Sequence, residues 1–185
     1  MKLTRTALDG VVILEPQRFG DHRGFFSESY NRRRMVEAGL DLDFVQDNHS
    51  LSRQTGTVRG LHFQAPPHAQ AKLVRCGRGR IFDVAVDIRQ GSPSYGQWVG
   101  VELSFDNGLQ LMIPEGFLHG FMTLEPDSEI IYKCTDYYAP DCDGAVLWNS
   151  CGIDWPNPGT APVLSEKDLK APAFAAFDSP FRAGS

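Results

Sequence analysis

A series of short runs in which apolar and polar residues alternate constrains this chain more than any other feature. Between Arg80 and Arg89, Phe82, Val84, Val86 and Ile88 fall on one face of an extended strand, and Asp83, Ala85 and Asp87 on the other. Trp98–Ser104 repeats the pattern, and Asp106-Asn107-Gly108 then turns the chain. Val11–Leu14, Gly24–Tyr30, Lys72–Cys76, Leu109–Pro114, Gly120–Leu124 and Glu129–Asp136 read as further strands. In the first half only Asn31–Ala38, closed by Gly39, has the look of a helix. Ser165–Lys170 reads as a short helix capped by Ser165 and limited by Pro172. No linker or repeat interrupts the 185 residues, so a single domain over 1–185 is expected, with a core of about 8–172 and a C-terminal tail of 173–185. Many short strands with turn signals imply a mainly β fold, a sandwich or barrel with a few short helices, and among these a jelly roll can hold a ligand inside.

Composition removes several classes of function. A net charge of −5 argues against general nucleic-acid binding, which needs a basic face. No apolar run is long enough to span a bilayer, and Lys2 and Arg5 are not followed by the apolar stretch of a signal peptide. Cys76, Cys134, Cys142 and Cys151 lack paired ligand spacing, which points to free thiols in a reducing cytoplasm rather than disulfides or zinc.

The chemistry centres on Val58-Arg-Gly-Leu-His-Phe-Gln64. On a regular strand His62 shares a face with Gly60 and Gln64, while Arg59 points away; a bulge at Gly60 would bring Arg59 round to join His62. The second stretch, Pro114-x-Gly116-x-x-His119, has the form of the second signature of cupins, the metal-binding jelly rolls. Where a cupin's first signature supplies two imidazoles, this chain has His62-Phe-Gln64 and offers one. A divalent ion held by protein wants about three ligands, so the cupin-like fold is expected without the metal. A lone His on a strand is more often structural than reactive; two in paired motifs favour a shared pocket.

Other clusters are weaker alone. Gln46-Asp-Asn-His-Ser50 follows Phe44-Val45 and by itself reads as a turn. Tyr132 sits in the alternating run Ile130–Tyr138, where an aromatic is normally core or rim. Ser165-Glu-Lys-Asp168 could be a capped, solvated turn.

Taken in order, Arg23-Gly-Phe-Phe, Gln46-Asp-Asn-His-Ser, Arg59-Gly-Leu-His-Phe-Gln, Lys72-Leu-Val-Arg and Ile113-Pro-Glu-Gly-Phe-Leu-His-Gly-Phe resemble the dTDP-4-dehydrorhamnose 3,5-epimerase family. Phe82–Arg89, Tyr132-Lys and Ser165-Glu-Lys-Asp extend the likeness from about Leu8 to Pro172. The resemblance implies that His62 is the catalytic base and that Asp168 orients and polarises it. It implies Tyr132 as the general acid on the opposite side of the sugar, and Lys72 as the cation on the enolate oxygen. Arg23, Glu28, Gln46, Asp47, Asn48, Arg59, His119 and Lys167 fall on positions that bind the nucleotide-sugar, and Tyr138 on an aromatic that stacks on thymine. Asp143 falls where glutamate is expected, one methylene shorter. A homodimer is implied, in which Arg23 and Glu28 serve the partner's pocket.

The implied reaction inverts C3 and C5 of dTDP-4-dehydro-6-deoxy-D-glucose to give dTDP-4-dehydro-L-rhamnose, a step towards dTDP-L-rhamnose. The C4 ketone acidifies both neighbouring carbons, so a positioned imidazole and a fixed ammonium suffice and no cofactor is needed. General acid–base help contributes about 10²–10⁴-fold, and stabilisation of the enolate is often the larger part. Inversion returns the proton from the opposite face, which demands a second donor. The rival readings are a C3-only epimerase or a 3,4-ketoisomerase of the same sugar class, and more remotely a metal-free cupin that only binds a sugar. Product stereochemistry separates the first two; solvent exchange at C3 and C5 separates the third.

Overall fold

The alternating runs do become strands, and the computed structural model describes residues 1–184. They are β1 (Lys2–Arg5), β2 (Val12–Glu15), β3 (Arg18–Asp21), β4 (Gly24–Ser27), β5 (Gln46–Ser52), β6 (Val58–Gln64), β7 (Lys72–Arg78), β8 (Arg80–Asp87), β9 (Trp98–Ser104), β10 (Gln110–Ile113), β11 (Phe117–Thr123), β12 (Ser128–Cys134) and β13 (Asp143–Ala145). A six-stranded sheet runs β1-β2-β10-β7-β12-β5, a five-stranded sheet runs β13-β6-β11-β8-β9, and β3-β4 forms a separate hairpin. The two large sheets pack face to face: Val74, Leu111, Ile113 and Ile130 of the first meet Ile81, Ala85, Leu103, Phe117 and Phe121 of the second. This is the jelly-roll, cupin-like arrangement.

Both outer faces are also covered. Helix α1 (Arg32–Glu37) starts where the Asn31 side chain accepts the Arg34 backbone N–H at 3.2 Å. Its buried Met35 and the following Leu40, Leu42 and Phe44 lie over Val12, Leu14, Leu73 and Met112. Over the five-stranded sheet, Phe174, Phe177 and Phe181 pack on Val84, Val86, Ile88 and Leu61. Residues set apart by sequence as a tail therefore cover one of the sheets; Ser185 lies outside the described residues. The apolar face of β8 is the outer one, under this segment. Its polar face, with Asp83, looks inward, which a simple inside-apolar rule would reverse.

One expectation changes and one open alternative is resolved. Gln46–Ser50 is not a turn but most of strand β5. It escapes the alternation test because it is an edge strand bonded only to β12 and its inward residues line a polar cavity rather than a core. In β6 the bulged alternative is the one adopted: against β11, His62 lies opposite His119 but Arg59 lies opposite Phe121, so the register slips by one residue at Gly60. Gly60 has φ +131°, and a Cβ there would sit 2.6 Å from Gly120 Cα.

Candidate active site

The bulge decides the site. It turns Arg59 and His62 into one cavity of about 440 Å³, shared with Lys72, His119, Phe121, Tyr132, Lys167 and Asp168. An adjoining cavity of about 410 Å³ shares His62, Lys72, Tyr132 and Lys167 and adds Gln46, Asn48, Tyr138 and Asp143. Through these shared residues the two cavities join as one cleft whose ends are lined by different side chains.

His62 Nε2 lies 2.6 Å from Asp168 Oδ1. The imidazole N–H donates there, which leaves Nδ1 with the basic lone pair. Asp168 comes from helix α2 (Glu166–Leu169), whose N-cap is Ser165; the Ser165 hydroxyl accepts the Asp168 backbone N–H at 3.1 Å. Burial pushes the Asp168 carboxyl up, but the His62 hydrogen bond, the Ser165 hydroxyl and the Gly60 N–H outweigh it and hold the group below its ordinary value. It is therefore an anion at neutral pH, 3% exposed, aimed at the imidazole.

Lys72 opens β7, half-buried between the two cavities. Burial lowers its pKa, and Cys134, Asp143 and Asp83 partly restore it. Tyr132, on the inward face of β12, has its pKa raised, mainly by burial, so the phenol keeps its proton. Arg59 is anchored on β5: Nε donates to Ser52 Oγ and Nη2 to the Leu51 carbonyl, both at 3.1 Å. His119 Nε2 is 2.8 Å from Asp83 Oδ1, a second imidazole–carboxylate pair beside the first. Asp83 is fully buried, and its Oδ2 has no hydrogen-bond partner. Sequence showed Asp83 only as a polar beat in an apolar strand, and its neighbour across β11 could not be read from spacing.

The nucleotide-binding candidates divide. Gln46 Nε2 donates to Asn48 Oδ1 at 3.1 Å, and Gln46 Oε1 accepts the Tyr138 backbone N–H at 2.9 Å. Asp143 accepts from Lys167 Nζ and, at 3.3 Å, from the Tyr138 hydroxyl, so the shorter carboxylate still joins helix α2 to the exposed tyrosine. Asp47 is not brought into the cleft. Strand alternation puts it on the outer face of β5, where Lys133 Nζ donates to it at 2.9 Å. Arg23 and Glu28 are also outside this chain's cleft: Arg23 pairs with Asp21 at 2.6 Å, and Glu28 with Arg34 at 3.0 Å.

The cupin metal does not fit these residues. His62 and His119 each spend Nε2 on a carboxylate. Gln64 donates to the His68 and Tyr137 carbonyls and accepts the Ala139 N–H, so its amide is fully engaged. Among the described residues no three His, Cys, Asp or Glu side chains gather as ligands. No helix among them is long and apolar enough to cross a membrane, and all four cysteines are free thiols.

A family profile described as dTDP-4-dehydrorhamnose 3,5-epimerase matches residues 5–176. A Salmonella typhimurium protein of that description is 55% identical over 175 residues, 93% of this chain and 94% of its own length. The crystal structure of dTDP-4-dehydrorhamnose 3,5-epimerase from Bacillus anthracis, with TDP and PPi bound, has a TM-score of 0.89 at 48% identity, covering 93% of this chain and 98% of that one. That of dTDP-6-deoxy-D-glucose-3,5-epimerase from Legionella pneumophila, in complex with dTDP-4-keto-L-rhamnose, has a TM-score of 0.91 at 46% identity, covering 96% and 94%.

Proposed function

The chain belongs to the dTDP-4-dehydrorhamnose 3,5-epimerase family, and from that premise we propose how its own residues carry the reaction. The enzyme is an isomerase that inverts C3 and C5 of dTDP-4-dehydro-6-deoxy-D-glucose, giving dTDP-4-dehydro-L-rhamnose. The observation that carries the residue assignment is an oriented base, His62 on Asp168, in one cavity with a protonated phenol and a half-buried ammonium.

His62 removes the proton from carbon beside the C4 ketone through Nδ1, and Asp168 stabilises the imidazolium that forms. Lys72 meets the charge that develops on the C4 oxygen; in a partly buried site an ammonium has more effect than in water. Tyr132 delivers a proton to the other face, which its raised pKa allows it to hold. Arg59 and Lys167 take the diphosphate, Tyr138 the thymine, and Gln46, Asn48, His119 and Asp143 complete the binding surface. The sequence of events needs only proton transfers.

The functional unit is a homodimer in the cytoplasm. Arg23 and Glu28 lie outside the cleft of their own chain, on or beside a hairpin whose Phe19, Phe25 and Phe26 are exposed. Seated on a second copy, that hairpin would bring a guanidinium and a carboxylate to the partner's cleft. Four free thiols fit a reducing compartment.

The test is ¹H NMR of the dTDP-4-keto sugar in D₂O, with the product trapped by a 4-keto reductase and NADPH. His62→Ala should abolish exchange at both C3 and C5. Tyr132→Phe should still exchange a proton but lose inversion, most visibly at C5. A Tyr132→Phe enzyme that makes the doubly inverted sugar at near the parent rate would remove the two-sided mechanism.

A further inference from the structure

Tyr138 lies between strands: β12 ends at Cys134 and β13 begins at Asp143. Side chains, not strand partners, hold the two peptide groups that flank it. In the peptide before it, the Tyr138 N–H donates to Gln46 Oε1 and the Tyr137 carbonyl accepts from Gln64 Nε2, both at 2.9 Å. In the peptide after it, the Ala139 N–H donates to Gln64 Oε1 at 2.9 Å. The same Gln64 Nε2 also donates to the His68 carbonyl, in the loop between β6 and β7.

Gln64 is 5% exposed and ends β6, two residues beyond His62. Its amide can face only one way, because both carbonyls need a donor and the Ala139 N–H needs an acceptor. A carboxylate has no proton to give, and a neutral imidazole offers one donor and one acceptor, so neither could replace it. Where a cupin's first motif has its second imidazole, this chain therefore has a staple from β6 to the segment that carries Tyr138. Tyr138 itself is 59% exposed and lines the nucleotide end of the cleft, so its ring is open while its backbone is tied on both sides.

We propose that Gln64 is a positioning residue for nucleotide recognition, acting through Tyr138: its amide fixes the flanking peptide groups and so pre-orders the ring that stacks on the base. This rests on the epimerase reading, in which Tyr138 takes the thymine. A ring already held in place loses less freedom when the nucleotide arrives, and the difference appears as affinity. The three Gln64 hydrogen bonds all go to backbone groups, none to His62, Lys72 or Tyr132, so the proton transfers do not draw on them.

The experiment measures dTDP affinity by calorimetry, with kcat and KM for the dTDP-4-keto sugar, in the unmodified enzyme, Gln64→Met, Tyr138→Ala and the double variant. Methionine keeps the volume and removes all three hydrogen bonds. Gln64→Met should weaken dTDP by about 10-fold and raise KM in step, with kcat at saturation close to the parent's. In the Tyr138→Ala background the same change should weaken dTDP by less than about 2-fold, because the ring it acts through is gone. Parent-like dTDP affinity in Gln64→Met would overturn the proposal. So would losses that simply multiply in the double variant, or a fall in kcat as large as the loss of affinity, since either means general damage. Should Gln64→Met not fold, Gln64→Glu answers the same question. Its carboxylate still accepts the Ala139 N–H but opposes both carbonyls, and once protonated it donates to one of them again. Its dTDP affinity, taken relative to the parent's at each pH to remove the titration of the diphosphate and of nearby His68, Asp136, Asp143 and Lys167, should recover as pH falls from about 8 to about 5. A ratio that stays flat would overturn the proposal. If Tyr138→Ala binds dTDP as the parent does, the thymine assignment fails and the proposal with it. If the unmodified chain does not turn over the sugar at all, it is the epimerase reading that fails, an outcome distinct from a silent Gln64 beside an active Tyr138.

Discussion

At the scale of single residues, the site holds groups in states that folding opposes. Burial works against the charge of Lys72 and lowers its pKa from 10.5. Folding therefore favours the neutral amine, and the unfolded chain binds the extra proton, so this residue's contribution to stability rises as pH rises through the window between the depressed folded value and 10.5. The proposed catalytic role runs the other way: if Lys72 meets the enolate, only its ammonium form serves. The alkaline limb of the kcat/KM profile is expected below the ordinary lysine value, and Lys72→Met should lose roughly 3 kcal/mol of transition-state stabilisation while melting no lower than the parent. A pH–rate profile paired with thermal unfolding reads both effects. If Lys72→Met melts well below the parent, the ammonium is a structural anchor instead. Asp168 shows the opposite sign: held below its ordinary value by His62, it stays charged across the working range and keeps the imidazole oriented.

At the scale of elements, a few positions hold geometry that the site borrows. The slip at Gly60 turns Arg59 inward, and nothing larger fits, since an added Cβ would stand 2.6 Å from Gly120 Cα and 2.9 Å from the His119 carbonyl oxygen. With φ at +131° the backbone also disfavours any L side chain. Gly60→Ala is expected to cost several kcal/mol, roughly 3 or more, since β6 and β11 must part. Urea unfolding and turnover should fall together; a stable, active Gly60→Ala protein would mean that the bulge is dispensable. Beyond β8, the fully buried Asp87 gathers the turn that leads to β9. It accepts from Arg89 N, Nε and Nη2 at 2.9, 3.0 and 2.8 Å, and from the hydroxyls of Ser92 and Ser94 at 2.6 and 2.7 Å. Burial raises its pKa, and those hydrogen bonds more than reverse it, to about 2 from 3.8. Because the folded value is the lower one, the stabilisation is present above pH 3.8 and is lost as pH falls towards about 2. Asp87→Asn should destabilise the fold by roughly 2 kcal/mol at neutral pH, with the difference shrinking in acid. Denaturant titrations at pH 7 and pH 3 check the slope, and a pH-independent difference would assign the effect to geometry alone.

At the scale of the whole molecule, charge and assembly are set separately from the chemistry. The chain is acidic at −5, yet Arg59, Lys72 and Lys167 converge on one cleft where a diphosphate would sit. The hairpin β3-β4 is a poor element for a lone chain: Phe26 is 69% and Phe19 53% exposed, and Arg18 stacks over Phe25 at 4.2 Å at its base. If the hairpin docks on a second copy, Phe26→Asp should shift the protein to monomer in sedimentation and lower kcat/KM by at least about 10-fold, through loss of Arg23 and Glu28 from the partner's cleft. A fully active Phe26→Asp monomer would rule out shared sites.

What the sequence determined alone was whatever depends on neighbours along the chain. Period-two alternation marked β8, β9 and β12, Asn31 and Ser165 marked the starts of the two helices, and Pro114-x-Gly-x-x-His119 marked the cupin-like layout. The ordered motifs marked the family because many short matches in one order are improbable together. Contacts across the fold were beyond that reach. Strand β5 read as a turn because an edge strand lining a polar cavity has no apolar beat, and with it went the outward placement of Asp47. The pairing of Asp83 with His119, 36 positions apart, depends on β8 lying beside β11. The turn of Arg59 towards His62 depends on a one-residue slip between β6 and β11. The packing of Phe174–Phe181 over the five-stranded sheet depends on which face of β8 is outermost. Each of these is decided by hydrogen-bond register and by competition for buried surface between distant segments, and those energies exist only once the sheets have met.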